Sequence, residues 1–317
     1  MRAMSALISL DRWKRAGTIS EAQHDVLAAL VRRDRFSLFI ELNALLYLGV
    51  LSLAAGAGWT IATYSARLGD LAILAALTAV FGASLYYCFR HTAPYSHEQI
   101  EAPNLAFDYV LYLGCLIFAV ELGYVESRFH PFGADWNQSL LLASAVFFAL
   151  AYRFDNRFVL SLALSSLGGW FGVRVSHFGQ LLSGSMHAYA IAYGVLVAGA
   201  GVALQRAGIK RHFLEAYLHV AANVLFLALL SGVAMRDDWL LYLLAVLALS
   251  TVAIVLGVRY SRFAFVAYGV VFGYAGVSVR VLWNVGSFSA GLAYFVVSGT
   301  LVILALVMLA RRFGREE

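Results

Sequence analysis

Residues 239–258 read WLLYLLAVLALSTVAIVLGV, an uncharged run closed by Arg259. A helix rising 1.5 Å per residue needs roughly 20 apolar residues to cross about 30 Å of hydrocarbon, and this run has that length. The same criterion, carried outward, marks spans near 38–62, 69–89, 105–126, 136–152, 158–174, 186–205, 213–233, 239–258, 263–283 and 288–310. The fourth and fifth are the shortest, separated by a tight turn around Asp155. The apolar runs are continuous rather than alternating, so helices and not a closed barrel satisfy the backbone in lipid. The expected fold is an all-α polytopic membrane protein of about ten transmembrane helices.

Composition agrees. The 317 residues are 62% hydrophobic and 13% charged, with mean hydropathy +0.79. An ordinary soluble domain carries about 25% charged residues, so a soluble globular enzyme, a disordered chain and a disulfide scaffold are excluded. Cys88 and Cys115 both fall in apolar stretches and offer neither a disulfide framework nor a paired-cysteine metal site.

The net charge of +5 is a matter of topology. With the N-terminus in the cytoplasm, 18 of the 23 Lys and Arg residues fall in cytoplasmic segments; Arg67, Arg128, Arg174, Arg236 and Arg280 fall outside. A missed span would invert every later loop and destroy this bias. Trp59, Trp136, Trp170, Trp239 and Trp283 are expected at outer span ends, as half of an aromatic belt. The location implied is the cytoplasmic (inner) membrane, with both termini cytoplasmic. The partner is the lipid bilayer, not nucleic acid. The oligomeric state is not readable.

Residues 1–37 precede the first span and read as a cytosolic amphipathic helical hairpin; 38–310 form the ten-helix domain and 311–317 a charged tail. The first short helix, Ser5 to Arg15, is stopped by Gly17 in a left-handed cap position. Thr18-Ile19-Ser20-Glu21 then matches a capping box. Such a hairpin serves as a lead-in resting on anionic headgroups or as a docking element.

The stretch Leu10-Asp11-Arg12-Trp13-Lys14-Arg15-Ala16-Gly17-Thr18-Ile19-Ser20-Glu21-Ala22-Gln23, followed by a basic cluster and a first span ending Gly56-Ala57-Gly58-Trp59, resembles a bacterial family of predicted membrane proteins, domain of unknown function 2157. The resemblance covers about residues 7–90. It implies a membrane protein and supplies no activity, ligand or catalytic residue.

Spans 3–6 and 7–10 can be overlaid with an offset near 106, giving parallel four-helix repeats, 105–205 and 213–310. Asp108 then falls on Glu215, Arg157-Phe158 on Arg262-Phe263, and Arg174 on Arg280. Topology alone, forcing Arg and Trp into register, is the rival explanation.

Ionisable groups inside a bilayer face a cavity, a partner or the interface. Glu41, Asp108 and Glu215 lie near the cytoplasmic starts of odd-numbered spans and are candidates to line one acidic vestibule. An acid in a first helical turn also favours the helix dipole, which explains each singly. Span 7 carries Glu215, His219 and Asn223 at i, i+4 and i+8, one stripe reaching toward the midplane. A carboxylate beside an imidazole is the part a proton-coupled carrier needs; interhelical hydrogen bonding is the alternative. Glu121 is expected to form a structural ion pair with Arg174 or Arg280.

There is no Walker loop, His-Glu-x-x-His or Gly-x-Ser-x-Gly pattern, and His91, His97, Glu98 and Glu101 have no diagnostic metal spacing. No catalytic residues, metal ligands or cofactor are therefore assigned. The leading expectation is a non-enzymatic carrier or sensor for a small solute or lipid-like ligand, with Glu215, His219, Asn223, Asp108 and Glu41 as its pathway. A scaffold or assembly subunit is the alternative, and a membrane-embedded enzyme comes third.

Overall fold

The computed structural model describes residues 39–100, 103–182 and 186–313, with several positions between Leu10 and His24. Among the described residues there are ten helices and no strand: α1 Phe39–Leu68, α2 Asp70–His91, α3 Leu105–Phe129, α4 Gln138–Phe154 and α5 Arg157–Leu182, then α6 Met186–Arg206, α7 Leu214–Met235, α8 Trp239–Arg259, α9 Phe263–Asn284 and α10 Phe288–Phe313. They stand one for one on the ten expected spans. Seven of them, α2, α3 and α6 to α10, are long and apolar enough to cross a membrane. Helix α4, with 17 residues, spans only about 25 Å. The described apolar stretches of α1 and α5, Leu45–Ile61 and Arg157–Val173, are also shorter than the seven.

The chain divides into two compact units, Met1–Leu46 with Val297–Glu317, and Tyr47–Val296. In the first, Gly17 has φ 68°, its N–H donates to the Lys14 carbonyl and the Thr18 N–H donates to the Trp13 carbonyl. This paired closure ends a helix with glycine in the left-handed position. Thr18 is thus spent in the stop of one helix and does not start the next. The capping box lies two residues further on, where Ser20 N–H donates to Gln23 Oε1 at 2.9 Å and Gln23 N–H to Ser20 Oγ at 3.2 Å. Glu21, expected in the box, instead accepts Lys14 Nζ at 2.6 Å. The rest of residues 1–37, where a hairpin is expected, and the tail from 314 lie outside the described residues.

The second unit is built from antiparallel hairpins, α2–α3, α4–α5, α6–α7 and α8–α9, with the odd-numbered helices α3, α5, α7 and α9 packed in a row. Small residues let the pairs approach. The Gly269 backbone of α9 lies where a Cβ would be 2.6 Å from the Ser250 carbonyl of α8, and Gly273 sits against the Ser250 side chain. The largest core cluster runs from Cys88 and Phe107 through Phe147 and Leu160 to Phe213 and Tyr217.

Polar contacts tie the connections at each end of this unit. At one end Arg153 donates to the Ala93 carbonyl, Lys210 N–H donates to the His97 carbonyl, and Glu215 joins Arg157 to Arg262. The α2–α3, α4–α5, α6–α7 and α8–α9 connections therefore share one end. At the other end Asp70 accepts from Tyr124 and Arg128, and Arg280 stacks on Trp239. Trp59 and Trp170 lie near the ends of the apolar stretches Leu45–Ile61 and Arg157–Val173, although both helices run on beyond them, α1 to Leu68 and α5 to Leu182.

Candidate functional site

Three polar groups gather at the arginine-bearing end of the second unit. The first is centred on Glu215, in the opening turn of α7 after a short 3-10 turn Arg211–Phe213. Arg157 Nη1, at the start of α5, donates to Glu215 Oε2 at 3.1 Å; Arg262 Nη1, from the residue just before α9, donates to Oε1 at 2.9 Å. His219 Nε2 is 3.9 Å from the same carboxylate. Its ring stacks on Phe265, and its Nδ1 lies 3.2 Å from Tyr268 Oη. Asn223 Nδ2 donates to the His219 carbonyl at 2.8 Å and to Tyr268 Oη at 3.3 Å. The expected stripe of Glu215, His219 and Asn223 is thus one contiguous set, folded against α9.

Asp108 is not part of it. Asn104 caps α3 by accepting the Phe107 N–H at 2.8 Å, which puts Asp108 in the first turn. There Asn156 Nδ2 donates to Asp108 Oδ1 at 2.9 Å and to Tyr112 Oη at 3.1 Å, and Tyr47 Oη donates to Tyr112 Oη at 3.4 Å. The Asn156 oxygen meanwhile accepts the Phe158 and Val159 N–H groups and caps α5. A single vestibule lined by Asp108 and Glu215 is therefore not formed: the start of α5 stands between them, with Asn156 committed to one acid and Arg157 to the other. The Glu41 side chain, third of the expected set, lies outside the described residues.

The expected ion pair of Glu121 with Arg280 is also not made. Glu121 accepts the Thr78 hydroxyl, while Arg280 lies 4.5 Å over the Trp239 ring, because α3 packs on α2 and α9 on α8. The Arg174 side chain lies outside the described residues.

The third group was not expected. Asp155, with φ 57°, ends α4, and its buried carboxylate accepts from Ile100 N–H, from Lys210 Nζ at 3.1 Å and from His212 Nε2. Lys210 is fully buried, its Nζ also donating to the Glu98 carbonyl at 3.3 Å. Two buried opposite charges with backbone partners fasten the 92–104 connection to the α4–α5 and α6–α7 turns. His97 and Glu98 enter this group through their backbone carbonyls. The signal available in the sequence was lysine itself. Every other basic residue beyond Lys14 is arginine, so Lys210 stood apart as a compact charge.

A cavity of about 320 Å³ opens between α5, α6 and α7 at mid-depth. Gly168, Phe171 and Gly172 form one wall, Tyr189 and Tyr193 a second, and Val220 and Val224 of α7 the third. A Cβ on Gly168 would meet the Tyr193 ring at 3.0 Å, whereas one on Gly172 would enter open space. Val220 and Val224 each follow a member of the polar stripe by one residue. Helix α7 therefore turns His219 and Asn223 to α9 and its valines to the cavity.

These features define an all-α polytopic membrane protein. Residues 11–160, from the N-terminal stretch into the start of α5, match the family model described as Predicted membrane protein (DUF2157), the family that the first ninety residues resemble. No curated protein and no solved structure matches the chain.

Proposed function

We propose that the protein binds a small, largely apolar or lipid-like molecule within the membrane, as a carrier or as a sensor. The mid-depth cavity carries this reading: it is lined by glycine, aromatic and valine residues, has the size of a small ligand, and is bounded by one helix that also bears a titratable stripe. A molecule pressing on Val220 and Val224 would act on the helix whose first turn holds Glu215, Arg157 and Arg262 together. The arginine-bearing end faces the cytoplasm of an inner membrane in this reading, by the bias of Lys and Arg. The parallel repeats 105–205 and 213–310 belong to it too, since Asp108 and Glu215 both open odd-numbered helices and both bond the start of α5.

The test fills the cavity. Gly172→Leu, placed where there is open space, should abolish binding of a fluorescent medium-chain fatty acid to the protein in vesicles while leaving its thermal unfolding unchanged. Unaltered binding would contradict the reading. A carrier is distinguished from a sensor by proton-linked uptake of the same probe, which Glu215→Gln should abolish only in a carrier.

A non-catalytic scaffold is the second reading. It is favoured by the same stripe: Glu215, His219 and Asn223 all have partners in the α5–α7–α9 seam, and His219 faces Phe265 and Tyr268 rather than the cavity. No binding of the fatty acid by the wild-type protein, together with full stability, is the outcome that reading expects.

A further inference from the structure

We propose that the groove between α8 and α9, at the tryptophan-bearing end, seats the headgroup of an anionic phospholipid. This is independent of the mid-depth cavity. The groove is a shallow, open depression of about 510 Å³, and its polar rim is Trp239, Arg280 and Asn284. Arg280 is an unneutralised cation: among the described residues no carboxylate lies within ion-pair distance of it. Its guanidinium rests on the Trp239 ring at 4.5 Å, Nη2 reaches the Arg236 carbonyl only at 3.5 Å, and Nε is buried with no acceptor. With Nε shut away from the groove and Nη2 only weakly held, the outer guanidinium nitrogens are the donors left to the groove, and a phosphate oxygen suits their geometry well. Neighbouring Arg236 does not compete, because Asp238 holds it at 2.8 Å.

The rest of the groove suits a lipid rather than a free anion. Leu243, Val277 and Val281 continue the wall along the two helices, an apolar track for an acyl chain. Trp239 is the first residue of α8, and Arg280 lies one turn before the end of α9 at Asn284. That is the level at which helices leave the hydrocarbon, where indoles and arginines meet headgroups. Asn284 donates to the Arg280 carbonyl at 2.8 Å, which leaves its second amide N–H for a headgroup oxygen.

The experiment uses the full chain in phosphatidylcholine nanodiscs containing a small fraction of lipid with brominated acyl chains, either phosphatidylglycerol or phosphatidylcholine. The Trp239 emission is isolated by subtraction of Trp239→Phe. Brominated phosphatidylglycerol should quench it preferentially, with an apparent enrichment of about five-fold, the ratio expected from one basic residue near an anionic surface. Arg280→Gln should make the two lipids equivalent, and Arg280→Lys should retain a preference. Equal quenching of the Trp239 emission by the two lipids in the wild-type protein would overturn the proposal. So would a preference that survives Arg280→Gln, or one that is abolished by added inorganic phosphate, which would make the occupant a free anion.

Discussion

Arg157 and Glu215, 58 positions apart in sequence, meet at 3.1 Å where α5 and α7 begin, and Arg262 closes on the other carboxylate oxygen at 2.9 Å. One acid thereby holds three helix starts together. The pair is half-exposed, so its worth is limited by screening. Glu215→Gln leaves two arginines facing each other and should lower stability by about 1 kcal/mol. Thermal unfolding in detergent at low and high salt checks this, since the difference from wild type should shrink as salt rises. A salt-independent loss would point to packing instead.

Asp155 is a different case, because neither it nor Lys210 is exposed at the side chain. Removing one partner strands a buried charge, so Asp155→Asn should cost about 3–5 kcal/mol. Asp155→Asn combined with Lys210→Met should recover a large part of that loss. A double-mutant cycle on unfolding midpoints measures the coupling, and simple additivity of the two losses would contradict a direct pair.

Gly269 and Gly172 should separate packing from function. A Cβ at 269 falls 2.6 Å from a backbone carbonyl, which cannot swing away as a side chain could. Gly269→Ala should therefore destabilise by about 1–3 kcal/mol. Gly172→Ala meets nothing within 4 Å and should leave the unfolding temperature unchanged. Equal effects at the two sites would contradict the helix contacts described.

The Arg236 guanidinium beside Asp238, in the connection between α7 and α8, holds that carboxyl below its ordinary range. A carboxyl depressed in the folded state contributes stability above its ordinary value and loses it as pH falls through the depressed one. Arg236→Gln should return the Asp238 titration to the ordinary range. Carboxyl chemical shifts followed against pH in isotope-labelled protein would show it, and an unchanged titration would contradict the pair.

Helix positions were legible because crossing a bilayer requires length and apolarity, and both are local properties. The run from Trp239 to Val258 could hardly be anything else. Helix α5 was read short because Arg174 and the polar residues after it end the apolar signal, although the backbone continues as a helix to Leu182. The spacing of Glu215, His219 and Asn223 gave their common face, since that is a property of one helix. What those side chains meet depends on which helices neighbour one another, and no periodicity carries that information. Asp108 and Glu215 could therefore be seen as similar in depth but not as separated by α5. The Asp155–Lys210 pair was hidden for the same reason: its members come from two connections 55 positions apart, brought together only by the packing of hairpins.

The functional readings depend on the two ends of the hairpin row lying on opposite sides of a membrane, with the arginine-bearing end inside. Cys88 and Cys115 are buried, so a single introduced cysteine reports alone. Labelling of intact cells with a membrane-impermeant maleimide should modify Asp237→Cys, between α7 and α8, and should leave Gln99→Cys, between α2 and α3, untouched until the membrane is opened. Modification of both in intact cells, or of Gln99→Cys alone, would contradict the account.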